Sequence, residues 1–139
     1  MRTLLTALTI LFSASFAHPD EPDGDGIAIE LNTLQPVEGG CQLTFVASTT
    51  SVGGIEKLVF ETVLFTTEGA VDRLTLFDFG EIPAHAPRVR QFVLPQLECT
   101  NLRQLLFNGV NACQIGGIEN TTCATGLTLT SRTDVELLG

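Results

Sequence analysis

Residues 41–48 read CQLTFVAS and have an apolar side chain at every second position from Cys41. In an extended chain, side chains two residues apart point to the same side. The alternation therefore places Cys41, Leu43, Phe45 and Ala47 on one face, and the three polar residues with Val46 on the other. Gly-Gly pairs at 39–40 and 53–54 bound the segment and mark turns. This pattern is typical of a strand with one buried face.

Six further runs are, like residues 41–48, short and rich in apolar residues. They are rich in β-branched residues, leucine and phenylalanine, and turns containing Gly or Pro separate most of them: 27–34, 57–66, 71–79, 88–94, 101–110 and 124–138. Strands separated by turns roughly every 8–15 residues are typical of an all-β sandwich or barrel. We predict an immunoglobulin-like antiparallel β-sandwich of about seven strands, formed by residues 27–139.

One of these runs also fits a helical turn. Leu102, Leu105 and Leu106 stand at i, i+3 and i+4, which is the spacing of one helix face. A strand is preferred because the run is short and bounded by turn residues.

The first seventeen residues predict export. They combine a basic start, an apolar run from Leu4 to Phe12, and small residues at the −3 and −1 positions, Ser15 and Ala17. This is the composition of a secretory signal peptide, and the apolar run is too short to span a bilayer. We expect residues 1–17 to be removed and the product to be periplasmic or secreted, with no membrane insertion. Residues 18–26 (HPDEPDGDG) predict a flexible acidic arm.

An exported chain with four cysteines favours disulfides, and three pairings are possible. If successive strands reverse direction, the connections alternate between the two ends of the sandwich. Cys41 lies at the first connection and Cys99 at the fifth, so both fall at one end. Cys113 and Cys123 flank the sixth connection. We therefore predict Cys41–Cys99 and Cys113–Cys123. A zinc site is disfavoured because no C-x-x-C spacing is present.

The charge balance excludes several kinds of partner. The chain has 7 basic and 16 acidic residues, a net charge of −9, and loss of Arg2 with the leader makes it −10. Nucleic acids and anionic lipid surfaces attract basic proteins, so neither is an expected partner. We expect no cofactor.

Two weaker patterns predict ligand sites. Glu21, Asp23 and Asp25 match the first, third and fifth positions of a calcium loop, but position 12 is Asn32 where a bidentate glutamate is needed. A solvated tail is the simpler interpretation of this segment.

Arg73, Arg88 and Arg90 lie on two predicted strands and suggest a possible anion-binding group. The simpler interpretation is cross-strand ion pairing of the arginines, Arg132 included, with nearby acids, namely Asp72, Asp78, Asp134 and Glu136.

Enzymatic signatures are weak in this sequence. No G-x-S-x-G nucleophile turn occurs, and the chain has no Trp or Tyr to form a sugar-binding platform. A hydrolase built from a pair of carboxylates stays open, because sixteen acids are present. We expect a protein without catalytic residues.

Three segments carry a resemblance to known proteins: ETVLFTTEGAVDRLTLFDFG (61–80), PRVRQF (87–92) and LTLTSRTDVELLG (127–139). They resemble small exported bacterial proteins of unknown function, from about residue 27 to 139, and this resemblance implies no activity. Residues 57–69 are also similar to FxLYD-type immunoglobulin-like modules of bacterial envelopes, although the tyrosine is missing here. That similarity implies a sandwich.

The sequence as a whole favours an exported, non-catalytic module that binds a protein partner in the cell envelope. Two alternatives remain: a binder of calcium or a small ligand, through the acidic arm or the three arginines, and a carboxylate hydrolase.

Overall fold

The computed structural model describes residues 26–139. The predicted leader, residues 1–17, lies outside the described residues, as does the acidic arm up to residue 25. Both stay predictions.

Nine strands and two short 3-10 turns make up the described chain. The strands are β1 (Ile27–Val37), β2 (Gly40–Thr49), β3 (Ile55–Thr66), β4 (Val71–Ile82), β5 (Arg88–Pro95), β6 (Leu102–Ile115), β7 (Ile118–Glu119), β8 (Leu127–Ser131) and β9 (Glu136–Leu138). The 3-10 turns cover Cys99–Asn101 and Thr121–Ala124. Within residues 26–139, no helix has the length and apolar character needed to cross a membrane.

The strands form two sheets packed as a sandwich, which confirms the predicted all-β fold. Sheet A has the order β5-β2-β1-β8. Sheet B has the order β4-β3-β6-β7, and β9 also pairs with β6. Residues 101–110 are in β6, as predicted, apart from Asn101, which ends the preceding 3-10 turn.

The chain end differs from the prediction of a single antiparallel strand. Residues 124–138 contain β8, which pairs with β1 in parallel, and β9, which pairs with β6 in parallel. Between them, the Ser131 hydroxyl accepts a hydrogen bond from the Thr133 amide, and the Thr133 hydroxyl accepts one from the Val135 amide. Such local side-chain bonds compete with strand pairing. They turn the chain from sheet A to sheet B.

Phenylalanines from both sheets fill the core. Phe45 of β2 is fully buried, and its ring lies within 6.5 Å of four others, those of Phe77, Phe79, Phe92 and Phe107. Two stacked pairs flank it, Phe60 on Phe107 and Phe77 on Phe92, each with ring centroids 4.4 Å apart. Aromatic pairs add about 0.5–1.5 kcal/mol beyond their burial, so this cluster joins the sheets.

Both predicted disulfides are present. Cys41, at the start of β2, is bonded to Cys99, which opens the 3-10 turn before β6 and lies 58 residues away in sequence. Cys113 of β6 is bonded to Cys123 of the second 3-10 turn. The first bridge therefore joins the two sheets at one end of the sandwich, as alternation of the connections predicts.

Candidate functional site

Two arginines join the edge strands on one side of the sandwich. Arg90 of β5 donates from Nε to the carbonyl of Phe79 at 2.6 Å and from Nη2 to the carbonyl of Glu81 at 2.9 Å. Arg73 of β4 donates from Nη1 to the carbonyl of Pro95, at the end of β5, at 2.7 Å. Each guanidinium group thus spans from one sheet to the other.

These bonds protect the open edges of both sheets. An edge strand presents backbone groups on which another chain can pair, and inward-pointing charges are one device that prevents this. Arg90 occupies carbonyls of β4, and Arg73 occupies a carbonyl of β5. Strand addition along this side of the sandwich is therefore disfavoured.

The structure does not bring the three arginines of the predicted anion site together. Arg73 contacts Pro95, which lies five residues from Arg90, or about 17 Å along a strand. Arg88 donates to the carbonyl of its neighbour Pro87 at 3.3 Å. The two bridging arginines thus bond to backbone at opposite ends of the same side, and anion binding by them stays a prediction.

The described ion pairs differ in part from those expected. Arg73 pairs with Asp72, its neighbour on the same strand. Arg132 pairs with Glu30 of β1 at 3.0 Å, and not with an acid of its own segment. Glu30 also accepts a hydrogen bond from Asn32 at 2.9 Å. The Asn32 amide and then the Arg132 guanidinium hold the pKa of Glu30 below its ordinary value of 4.5.

The outer face of sheet B carries a continuous row of aliphatic side chains. Leu74 of β4 pairs with Val63 of β3, Val63 pairs with Leu106 of β6, and Leu106 pairs with Leu138 of β9. On β3, β6 and β9 their neighbours in sequence point into the core and are buried: Leu64, Leu105 and Leu137. The four paired residues therefore face outward. We call them the aliphatic row.

The aliphatic row is open to solvent at its ends. Leu74 is 55% exposed and Leu138 is 43% exposed, whereas Val63 in the middle is only 9% exposed because its neighbours cover it. Leu76, two residues along β4, is 50% exposed and widens the apolar surface. Contiguous exposed apolar surface on a folded domain marks sites of interaction.

Acidic side chains surround the aliphatic row. Glu61 pairs with Leu76 across the strands and accepts a hydrogen bond from Asn108 at 2.6 Å. Glu136 accepts one from Gln104 at 3.0 Å. On β4, the outward-facing leucines lie between two aspartates, Asp72 and Asp78.

The outer face of sheet A has a different character. It carries mainly threonine, glutamine and valine; Gln91 of β5, for example, donates to the hydroxyl of Thr44 of β2 at 3.2 Å. Val89 and Val93 on edge strand β5 are 59% and 54% exposed, close to the values for the two leucines of β4. These two valines provide a natural comparison for tests of sheet B.

One depression in the described part of the chain is lined by acidic side chains. A depression of about 440 Å³ near the start of β4 is lined by three carboxylates, those of Glu68, Asp72 and Glu98. Asp72 is already paired with Arg73. The carboxylate-hydrolase alternative stays a hypothesis.

The predicted calcium ligands cannot be placed in this fold. Glu21, Asp23 and Asp25 lie outside the described residues, and calcium binding stays a prediction. Between residues 26 and 139, no group of three or more His, Cys, Asp or Glu side chains is arranged to hold a metal ion.

The fold and surface define a disulfide-linked β-sandwich with an apolar outer face. No protein-family model matches the chain, and no curated protein sequence matches it significantly. A solved structure, IrmA from Escherichia coli, is similar in fold with a TM-score of 0.58. The alignment covers 76% of this chain and 92% of IrmA, at 12% sequence identity. At that identity the similarity shows the fold alone.

The aliphatic row was not found from the sequence. Alternation in residues 71–79 separates Asp72, Leu74, Leu76 and Asp78 from the other face, but it does not show what lies beside them. The row exists only through the register of four strands, and its end members, Leu74 and Leu138, are 64 residues apart in sequence. For Arg73 the sequence does contain a signal. The same alternation places Arg73 on the face that carries Phe77 and Phe79.

Proposed function

We propose that this protein is an exported, non-catalytic module that binds a protein partner of the cell envelope through the outer face of sheet B. The observation that carries the proposal is the aliphatic row with Leu76 beside it. The two disulfides are consistent with a compartment other than the cytoplasm. Export by the predicted leader to the periplasm or the medium, and an immunoglobulin-like architecture of the sandwich, belong to the same proposal.

Binding through a face is favoured over binding through a sheet edge. Strand addition needs free backbone groups along an edge strand. The side formed by β4 and β5 has carbonyls occupied by Arg73 and Arg90. On the opposite side, the chain passes from β8 of sheet A to β9 of sheet B, and the strands there, β7, β8 and β9, are only two to five residues long. Covering the exposed leucines of sheet B with a partner, by contrast, removes apolar surface from water, which is favourable.

Affinity capture with matched variants tests the proposal. The bait is the mature protein, and the prey is the envelope or secreted fraction of its native host. Leu74→Lys with Leu76→Lys places two charges on the outer face of sheet B. Val89→Lys with Val93→Lys does the same on sheet A, at similar exposure and with the two positions four residues apart instead of two.

The proposal predicts a partner that the wild type and the sheet A variant retain and the sheet B variant loses. Both variants must first show wild-type circular dichroism and two intact disulfides. Retention of every captured protein by the sheet B variant contradicts the proposal, and so does equal loss from both variants.

A further inference from the structure

We infer that the ligand of the outer face of sheet B is a cationic amphipathic helix of a partner protein. This inference rests on the proposed function and adds the chemistry and the shape of the partner. It follows from the spacing of the aliphatic row, the charges around it and the protected edge beside it.

The spacing of the row matches a helix better than an extended chain. Adjacent strands lie about 4.8 Å apart, so the four residues of the row span about 14 Å. A helix presents an apolar residue on one face about once per turn of 5.4 Å, and 11 residues cover about 16 Å. In an extended segment, side chains on one face recur about every 6.7 Å. A helix lying along the row therefore brings one apolar side chain to each strand.

The charges on this sheet require a basic partner. Glu61, Asp78 and Glu136 lie on the strands that carry the row, and Asp72, which is already paired with Arg73, adjoins it on β4. On these strands the described cations are Lys57, Arg73 and Arg103, and Arg73 is already bonded to Pro95 and Asp72. Lysine or arginine flanking the apolar stripe of a helix would complement these carboxylates.

Other occupants conflict with the same charges. A second copy of this chain has a net charge of −9 and would bring its own ring of carboxylates against the first. Anionic lipid headgroups and nucleic acid phosphates meet the same repulsion. A partner strand added beside β4 would have to displace Arg90 from two carbonyls.

Titration with defined peptides tests the inference. The probe is a labelled synthetic helix of 14 leucines and lysines with leucines at i, i+3, i+4 and i+7. One control peptide has the same composition with no apolar face, and another replaces every lysine by glutamate. Fluorescence anisotropy gives the dissociation constants at 0.05 M and 0.5 M salt.

We expect saturable binding of the amphipathic cationic peptide and at least tenfold weaker binding of both controls. Raising the salt should weaken binding, because the Debye length falls from more than 10 Å to less than 8 Å across this range. Leu74→Gln with Leu76→Gln should weaken binding roughly tenfold. Val89→Gln with Val93→Gln should leave it within about twofold, since those valines lie on sheet A.

Neutralising the carboxylates separates charge from apolar contact. Glu61→Gln with Asp78→Asn keeps the oxygens that accept hydrogen bonds from Asn108 and the amide of Gly80. This variant should bind about fivefold more weakly, whereas Glu38→Gln, in the turn between β1 and β2 of sheet A, should bind within about twofold of wild type.

Equal binding of the glutamate peptide, equal binding of the peptide without an apolar face, or insensitivity to the leucine variants overturns the inference. Failure of the inference is distinguishable from failure of the proposed function. If envelope capture still depends on Leu74 and Leu76 while the helix does not bind, only the class of partner is wrong. If capture does not depend on them either, the binding surface itself is wrong.

Discussion

Replacing Arg90 by methionine is expected to lower the free energy of unfolding by about 2–3 kcal/mol. Methionine keeps an unbranched stem and removes both bonds to β4. The Nε bond to Phe79 at 2.6 Å is partly buried, and the Nη2 bond to Glu81 at 2.9 Å is exposed. Hydrogen bonds to charged groups contribute about 1.5–3 kcal/mol. We expect the partly buried bond to contribute about 1.5–2 kcal/mol to the free energy of unfolding. The exposed bond, which solvent screens, should contribute about 0.5–1 kcal/mol.

Urea unfolding followed by circular dichroism measures this loss. With a slope of about 2 kcal/mol per molar urea, the midpoint should fall by about 1–1.5 M. Arg90→Lys keeps the charge but not the planar guanidinium that donates to two carbonyls. Its loss of unfolding free energy should therefore be about half as large. Arg88→Met is the control, because Arg88 contacts only the adjacent Pro87 among the described bonds, and it should change stability by less than about 0.5 kcal/mol.

The protected edge adds a second readout for Arg90→Met. Carbonyls of Phe79 and Glu81 freed on an edge strand become available to another chain. The variant should therefore associate with increasing concentration in analytical ultracentrifugation, whereas the Arg88 control should not. A stability equal to that of the control, with no association, would show that the two bonds do not hold the edges together.

Two further predictions concern a turn and an ion pair. Gly54 has φ of +73° and a Cβ there would meet backbone atoms at 2.9 Å, so Gly54→Ala should cost about 1–3 kcal/mol in urea unfolding. Gly53→Ala meets nothing within 4 Å and should cost less than about 0.5 kcal/mol; equal losses would contradict the account. The depressed pKa of Glu30 stabilises the fold above its ordinary value of 4.5, and this contribution is lost as pH falls through the folded-state pKa. In NMR titrations Asn32→Ala and Arg132→Ala should each raise that pKa, because each removes a hydrogen bond to the charged carboxylate; an unchanged pKa in either variant would refute this.

The sandwich and its cross-links could be predicted because they depend on local pattern and on simple topology. Alternation in residues 41–48 reports which side of a strand is buried, and the structure places Leu43 and Phe45 in the core. The disulfide pairing follows from counting strand reversals, with Cys41 and Cys99 at connections of the same parity. Neither inference needs the register between strands.

The end of the chain could not be predicted in the same way. Residues 127–138 contain no glycine or proline, and a polar stretch, TSRTD (130–134), stands between the apolar positions at either end. The break comes from hydroxyl groups of Ser131 and Thr133, which bond to nearby amides and turn the chain. Threonine and serine are common in strands as well as turns, so the sequence does not distinguish a long strand from two short ones.

The candidate binding surface was beyond the reach of the sequence for a related reason. Leu74 and Leu138 are distant in the chain and meet only through Val63 and Leu106. Their alignment depends on irregular pairing between β3 and β6, where the register shifts at three places. A shift of one residue in any of the strands would turn a member of the row to the other face.

Site-specific photo-crosslinking in the native host tests the central claim most directly. A photoreactive amino acid replaces Leu74 or Leu138 on sheet B, and Val46 or Val93 on sheet A, in the full-length chain. The account predicts a crosslinked protein partner from the two sheet B positions and none from the two sheet A positions. Crosslinks of equal yield from both faces, or crosslinks from sheet A alone, would contradict it.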